Sequence, residues 1–346
     1  MSINTLVNRR NLIKSVGLSA AGMALMSQSN ASSVAIETNE RNGDVVNGIP
    51  LQGVIPAALT PFDVDLKVSL REYRKHIQKL SSISGVTAIL VNGGAGELAS
   101  LSRGERRSLV AEAVAAAGDV PVIASLEEID DEGLDVFAKD AEIEGARAVM
   151  VMPPKNEADS QWENAQVRYN QVFNATDLPV VIFHTTYSNE TLLKLTAFPQ
   201  VFAVKEASAR PFDFERNLRS IRSLRKDVAV WSTHTSWFLS DLALGADGIL
   251  SGMGSFAASL HVDLFEAIQR SDLNAAKKVA DSLYPLQDAI RYSCVEHDNF
   301  AYAVMKYALV ELGQWEGAYV RAPYLPFTDK SLQEKFKQAI KESGLT

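Results

Sequence analysis

The sequence predicts a (β/α)8 barrel with a helical C-terminal extension, and three observations predict it. Eight short apolar runs recur at a beat of about thirty residues, the spacing of successive strand–helix units. The stretches between them carry apolar residues at helical spacing, on one face only. No GxGxxG follows the first run, which counts against a doubly wound dinucleotide-binding sheet. Continuous apolar runs suit parallel strands buried on both faces, between a packed interior and a shell of helices.

The runs are Gly53–Leu59, Val86–Val91, Val120–Ala124, Ala146–Met152, Pro179–Phe183, Val201–Val204, Val228–Trp231 and Gly248–Ser251. Each is rich in Val, Ile, Leu or Ala, as strands in a closed barrel should be. After the first run, Ser69–Leu80 places Leu70, Tyr73, Ile77 and Leu80 on one stripe, with Arg71, Glu72, Arg74 and Lys75 off it. After the second, Ser102–Ala117 opens with a Ser-x-x-Glu capping box, Ser102 to Glu105. Beyond the eighth run, Asp272–Tyr292, Asn299–Leu312 and Ser331–Ser343 read as helices, with Pro323 and Pro326 before the last. The barrel is expected over 48–270 and the extension, packed against it, over 271–346.

The first residues read as an address. Asn8-Arg9-Arg10-Asn11-Leu12-Ile13-Lys14 sets paired arginines before the uncharged stretch Val16–Met26, and Ser29-Asn30-Ala31 supplies small residues for cleavage. This pattern is a twin-arginine export signal over 1–31, followed by a polar linker over 32–47. The apolar stretch is about eleven residues, against the roughly twenty that cross a bilayer, so no membrane span is expected in the mature chain. The expected location is the periplasm or another exported compartment. That route carries folded proteins, so folding is expected in the cytoplasm. Cys294 is the only cysteine, which rules out an intrachain disulfide, a CxxC redox motif and a cysteine zinc site. A formal charge of −8 over 346 residues, with both signs interspersed, argues against nucleic acid or an anionic membrane as the main partner.

In a barrel of this kind the C-terminal ends of the strands form the active face. Those ends collect the polar and ionisable residues: Leu59-Thr60-Pro61-Phe62, Gly93-Gly94-Ala95-Gly96-Glu97, Met152-Pro153-Pro154-Lys155, Phe183-His184-Thr185, Lys205, Ser232-Thr233-His234, and Ser251-Gly252-Met253-Gly254-Ser255. Lys205 stands out because it ends the apolar run Val201-Phe202-Ala203-Val204. An ammonium at the edge of an apolar core is disfavoured by desolvation, and a neutral amine attacks carbonyls to form Schiff bases. The competing reading is a lysine whose stem snorkels to water at a strand end.

Four segments, in order and spacing, resemble the dihydrodipicolinate synthase / N-acetylneuraminate lyase family. They are Gly53-Val54-Ile55-Pro56-Ala57-Ala58-Leu59-Thr60-Pro61-Phe62, Gly93–Glu97 with Ser100-Leu101-Ser102, Val204-Lys205-Glu206-Ala207-Ser208, and Gly245-Ala246-Asp247-Gly248-Ile249. The resemblance covers Gly53 to about Leu345. It implies the barrel with its helical extension, a homo-oligomer (dimer or tetramer), and class I aldolase chemistry in which a lysine forms an imine with a 2-keto acid such as pyruvate. It assigns that lysine to Lys205 and implies no metal or organic cofactor. It places the keto acid carboxylate on Thr60 and the Gly93, Gly94, Ala95 and Gly96 backbone, with Gly248 and Ser251 also lining the substrate.

The departures from the family narrow the reaction. The family loop Gly-Thr-Thr-Gly-Glu binds the carboxylate and relays protons through its hydroxyls; here Gly94 and Ala95 replace both threonines. A Gly-rich turn still offers backbone N–H groups to an anion. The family's fifth strand ends in Tyr-Asn-x-Pro, whose tyrosine shuttles protons; His184 is read in that tyrosine's place and is a competent acid/base near neutral pH. The alternative is a histidine that only hydrogen-bonds at a strand end. The arginine that holds a second carboxylate in the synthases is missing, with Asn189 near its position, and Pro154-Lys155 stands where synthases carry a Tyr-Tyr pair. These losses argue against dihydrodipicolinate synthesis itself. Glu97 reads as a structural ion-pair partner, Glu206 as facing the helices, and His234 as a rim residue without a task. None of these has the HxH or HExxH spacing of a metal site. The reading is therefore a lyase, an aldolase or dehydratase acting on a pyruvate-like or sugar-derived keto acid through Lys205. The alternatives are a periplasmic 2-keto acid binding protein that keeps the fold without turnover, and a barrel aldolase that holds phosphate on the Gly252–Gly254 loop.

Overall fold

The computed structural model describes residues 43–129, 131–156, 158–295 and 300–345. The export signal read over 1–31 and the linker as far as residue 42 lie outside them. The last residues of that linker enter a hairpin. Val45–Val46 pairs antiparallel with Ile49–Pro50 across Asn47-Gly48. Both turn residues have positive φ, 48° and 82°, the backbone that Asn-Gly adopts at least cost in a two-residue hairpin. Asn47 Nδ2 also donates to the Arg147 carbonyl at 2.7 Å, which fixes the hairpin to the barrel.

Among the described residues, eight parallel strands form one sheet: β1 (Gly53–Pro56), β2 (Ile89–Val91), β3 (Val122–Leu126), β4 (Ala148–Val151), β5 (Val180–His184), β6 (Val201–Glu206), β7 (Ala229–Ser232) and β8 (Gly248–Ser251). From β2 to β8 each strand pairs with the next, and β8 pairs with β1. Bridges between Val54 and Val86 and between Ala57 and Leu90 join β1 to the β2 segment, so the sheet closes on itself. The (β/α)8 barrel that the spacing predicts is the fold.

Helices α1 (Leu70–Ser81), α2 (Arg103–Ala116), α3 (Leu134–Ile143), α4 (Trp162–Ala175), α5 (Asn189–Thr196), α6 (Pro211–Leu224), α7 (Phe238–Ala243) and α8 (Gly254–Gln269) follow the eight strands in turn. The stripe read on α1 is the buried one: Tyr73, Ile77 and Leu80 face the core, while Leu70, at the first turn, is exposed. The capping box of α2 is formed: Ser102 Oγ accepts the Glu105 N–H, and the Glu105 carboxylate accepts the Ser102 N–H. Three further helices, α9 (Leu273–Val295), α10 (Ala301–Glu311) and α11 (Lys330–Ser343), make the extension.

Two contacts bind the extension to the barrel mouth. In the apolar helix α10, Lys306 is fully buried; its Nζ pairs with the Glu97 carboxylate, donates to the Tyr319 carbonyl at 2.8 Å and lies 4.2 Å from the centre of the Phe62 ring. The other Glu97 oxygen accepts the Arg321 backbone N–H at 3.1 Å, and Arg321 forks onto the Glu105 carboxylate. Glu97 is thus the structural anchor that its position beside the Gly-rich loop suggested, tying that loop to the extension.

Candidate active site

Strand alternation decides which side chains meet inside the barrel. On β6, Glu206 turns outward to α6, where Asn217 Nδ2 reaches it at 3.4 Å, so Lys205 turns inward. Register carries the same level around the wall: Val151, Ile182 and Val204 are partners, and one residue further on come Met152, Phe183 and Lys205. The Lys205 Nζ lies 3.8 Å from the centre of the Phe183 ring. It has no hydrogen-bond or ion-pair partner among the described residues. The side chain is only 8% exposed, and burial lowers its ammonium from the ordinary lysine value to about 7. A large share of this amine is therefore neutral near pH 7, the form that attacks a carbonyl. The snorkelling alternative puts the charge in bulk water, which a residue only 8% exposed does not do.

His184 does not share that space. It pairs in register with Glu206 and, like it, faces the helix layer. Its Nε2 accepts from Asn217 Nδ2 at 3.1 Å and lies 3.4 Å from Ser208 Oγ and 3.6 Å from the Glu206 carboxylate. Burial lowers the imidazole to about 4 and raises the Glu206 carboxyl to about 7, so near neutral pH the imidazole is uncharged and the carboxyl about half protonated. The acid/base role read for His184 is therefore corrected: one residue of strand period separates it from the lysine, and the ring against Lys205 belongs to Phe183. The ring beside Lys205 is a phenyl, which has no exchangeable proton.

The Gly-rich loop packs against the segment that carries Thr60. Thr60 is buried in the segment after β1; a Cβ built on Gly96 would stand 3.2 Å from its Oγ1 and from the Ala58 carbonyl, so a side chain there would press on both. Within the loop, the Gly96 N–H donates to the Gly93 carbonyl and the Glu97 N–H to the Gly94 carbonyl. The N–H groups of Gly94 and Ala95 donate to no described residue and remain open to an anion. The Ser125 hydroxyl of β3, buried and unpartnered among the described residues, lies 3.5 Å from the Cβ position of Gly93.

The two assignments on β8 differ. Gly248 is the first residue of the strand, at the opposite end of the barrel from Lys205. It pairs with Gly53 and Trp231, and a Cβ there would overlap the Gly53 carbonyl oxygen at 2.0 Å. Its role is close approach of β8 to β1, so its assignment to the substrate is corrected. Ser251 does lie at the active end, where its hydroxyl accepts the Met253 N–H at 3.2 Å and shapes the turn into α8. His234 stacks on Trp237 with ring centres 4.2 Å apart. Among the described residues no cluster of three metal-ligating side chains occurs.

Sequence reading passed over three residues here: Phe183, Ser125 and Tyr302. The last projects from α10 over the loop, and a Cβ on Gly94 would stand 2.6 Å from its hydroxyl and 3.9 Å from Met152 Cε. The available signal was Lys306, a lone charge in the apolar stretch Ala301–Val310. It called for a buried carboxylate partner, and it would have brought this helix face to the barrel mouth.

Known proteins share this architecture. The model of the dihydrodipicolinate synthetase family matches residues 50–343. A 4-hydroxy-tetrahydrodipicolinate synthase of Neisseria gonorrhoeae is 28% identical over 305 residues, covering 85% of this chain and 99% of the relative. The same enzyme of Thermotoga maritima is also 28% identical over 305 residues. Among solved structures, dihydrodipicolinate synthase from Thermotoga maritima superposes with a TM-score of 0.77 at 26% identity, covering 85% of this chain and 99% of that one. A monomeric dihydrodipicolinate synthase variant gives the same TM-score and identity, covering 97% of its chain.

Proposed function

The chain belongs to the dihydrodipicolinate synthetase family and is a lyase of that family, and from this premise we propose that it acts on a 2-keto acid through an imine on Lys205. The observation that carries the reading is the amine itself, buried, unpaired and lowered to about 7 at the C-terminal mouth of the barrel. The neutral amine adds to the keto carbon, and the carbinolamine loses water to give an iminium. In a dehydratase the iminium accepts the electron pair of the adjacent carbon–hydrogen bond, and the enamine so formed expels the next hydroxyl, protonated, as water; in an aldolase it accepts the pair of the carbon–carbon bond as the neighbouring hydroxyl gives up its proton and an aldehyde leaves. The resulting enamine is protonated at carbon, and water then returns the keto acid and frees Lys205. Thr60 and the free N–H groups of Gly94 and Ala95 hold the carboxylate.

The reaction proposed is not dihydrodipicolinate synthesis. Phe183 supplies no proton relay, and Asn189, near the place of the arginine that grips a second carboxylate, is engaged with Asn217 at 2.8 Å. A keto acid whose partner lacks that second carboxylate fits better. The binding-only alternative has no observation in its favour. Export through the Arg9-Arg10 signal and a homo-oligomeric assembly belong to the same proposal, tested by cell fractionation and by light scattering.

The deciding experiment is reductive trapping. The protein is incubated with pyruvate or other 2-keto acids, reduced with borohydride and weighed intact. A mass gain equal to the reduced adduct is expected in the wild type and not in Lys205→Ala. An equal gain in both would end the proposal.

A further inference from the structure

We propose that Tyr302 is a substrate-binding residue whose hydroxyl, delivered from α10 over Gly94, donates a hydrogen bond to the carboxylate of the keto acid; this rests on the lyase reading above. Gly94 has no positive φ, so its backbone does not require glycine. Open space does not explain it either, since the Cβ position there is contested by the Tyr302 hydroxyl at 2.6 Å. The glycine makes sense as room for that hydroxyl. A hydroxyl-bearing side chain at 94 and a tyrosine at 302 are alternative ways to put one O–H in one place, and this chain uses the second.

The placement is built rather than incidental. Tyr302 and Lys306 are one helical turn apart on the same face of α10. Lys306 is fixed to Glu97, three residues beyond Gly94, so the pair that anchors the extension also sets the tyrosine over the loop. The Tyr302 ring is held edge-on against Tyr324, with centres 5.7 Å apart. Its hydroxyl has no hydrogen-bond partner among the described residues. Beside it lie the unused N–H groups of Gly94 and Ala95, and Met152 connects this point to the level of Phe183 and Lys205. Burial, with the Cys294 and Glu97 side chains nearby, raises the phenol above its ordinary value, so it remains a donor at neutral pH.

The test uses pyruvate as probe with the full chain. Binding is measured by calorimetry in the Lys205→Ala background, where no imine forms, and the pyruvate concentration for half-maximal borohydride trapping is measured with Lys205 present. Tyr302→Phe should weaken both by about tenfold to a hundredfold, the worth of a hydrogen bond to a charged acceptor. Gly94→Thr alone should also weaken both. Gly94→Thr with Tyr302→Phe should recover most of the loss, which a merely structural tyrosine would not allow. Unchanged concentrations in Tyr302→Phe overturn the assignment while trapping in the wild type leaves the lyase reading intact. If nothing traps but Tyr302→Phe still weakens pyruvate binding tenfold, Tyr302 stands and Lys205 falls. If pyruvate neither binds nor traps, both fall.

Discussion

Two lysines are buried at the barrel mouth, and they do opposite things. Lys205 and Lys306 both lie over an aromatic ring, at 3.8 Å from Phe183 and 4.2 Å from Phe62. Both are lowered by burial, to about 7 and about 8. Lys306 is met by the Glu97 carboxylate, which offsets part of what burial does and favours the cation, and by the Tyr319 carbonyl. Lys205 lies over the Phe183 ring and has no hydrogen-bond or ion-pair partner among the described residues. Burial makes both amines anomalous, and the absence of a partner is what singles out Lys205 for the proposed imine. The paired lysine fixes the scaffold that the unpaired one works in.

The largest expected effect separates the two at once. Lys205→Ala should abolish borohydride-trapped adduct and turnover while leaving the melting temperature unchanged or higher, because it removes a desolvated amine that nothing stabilises. Lys306→Ala should do the reverse on stability. Breaking one half of a buried ion pair costs about 3–5 kcal/mol, read as a loss in chemical denaturation. Replacing both partners, Lys306→Met with Glu97→Gln, should cost much less than Lys306→Met alone. If Lys306→Ala were neutral in stability, the contrast between anchor and nucleophile would be lost.

Titration gives the next test. The folded Lys205 is depressed to about 7 from an ordinary value of 10.5, so between these the unfolded chain holds a proton that the folded chain lacks. Its contribution therefore makes the fold more stable as pH rises from about 7 to 10.5. Lys205→Met should remove that slope from stability measured against pH. Over the lower part of the same range the rate of imine formation should climb through about pH 7 and level off, since only the neutral amine attacks. An inflection near the ordinary lysine value would show that the amine is hydrated.

Much of this frame was legible in the chain, for a physical reason. Strands buried on both faces must be apolar throughout, so the eight runs and the one charge that ends Val201–Val204 stand out. The Ser102–Glu105 box is local chemistry and formed as written. What was not legible depends on register between distant segments. Whether Phe183 or His184 turns toward Lys205 is a matter of one residue of phase between β5 and β6, which neither strand encodes alone. Gly248 lies three residues from Ser251 in sequence but at the other end of the barrel. Tyr302 reaches Gly94 only because Lys306 finds Glu97 across about two hundred residues of chain.

The smallest expected effect isolates the ring under Lys205. The π face of Phe183 attracts the ammonium, while its bulk excludes water, and these two actions push the amine in opposite directions. The attraction is worth about 0.5–2 kcal/mol, or roughly 0.4–1.5 units in the lysine titration. Phe183→Leu keeps an apolar side chain but removes the π face. The inflection in imine formation against pH should then move to lower pH by a fraction of a unit, with the plateau rate little changed. A move to higher pH would mean that the ring acts chiefly by keeping water out. The reactivity of Lys205 would then be owed to the shape of the wall rather than to the lack of a charged partner that distinguishes it from Lys306.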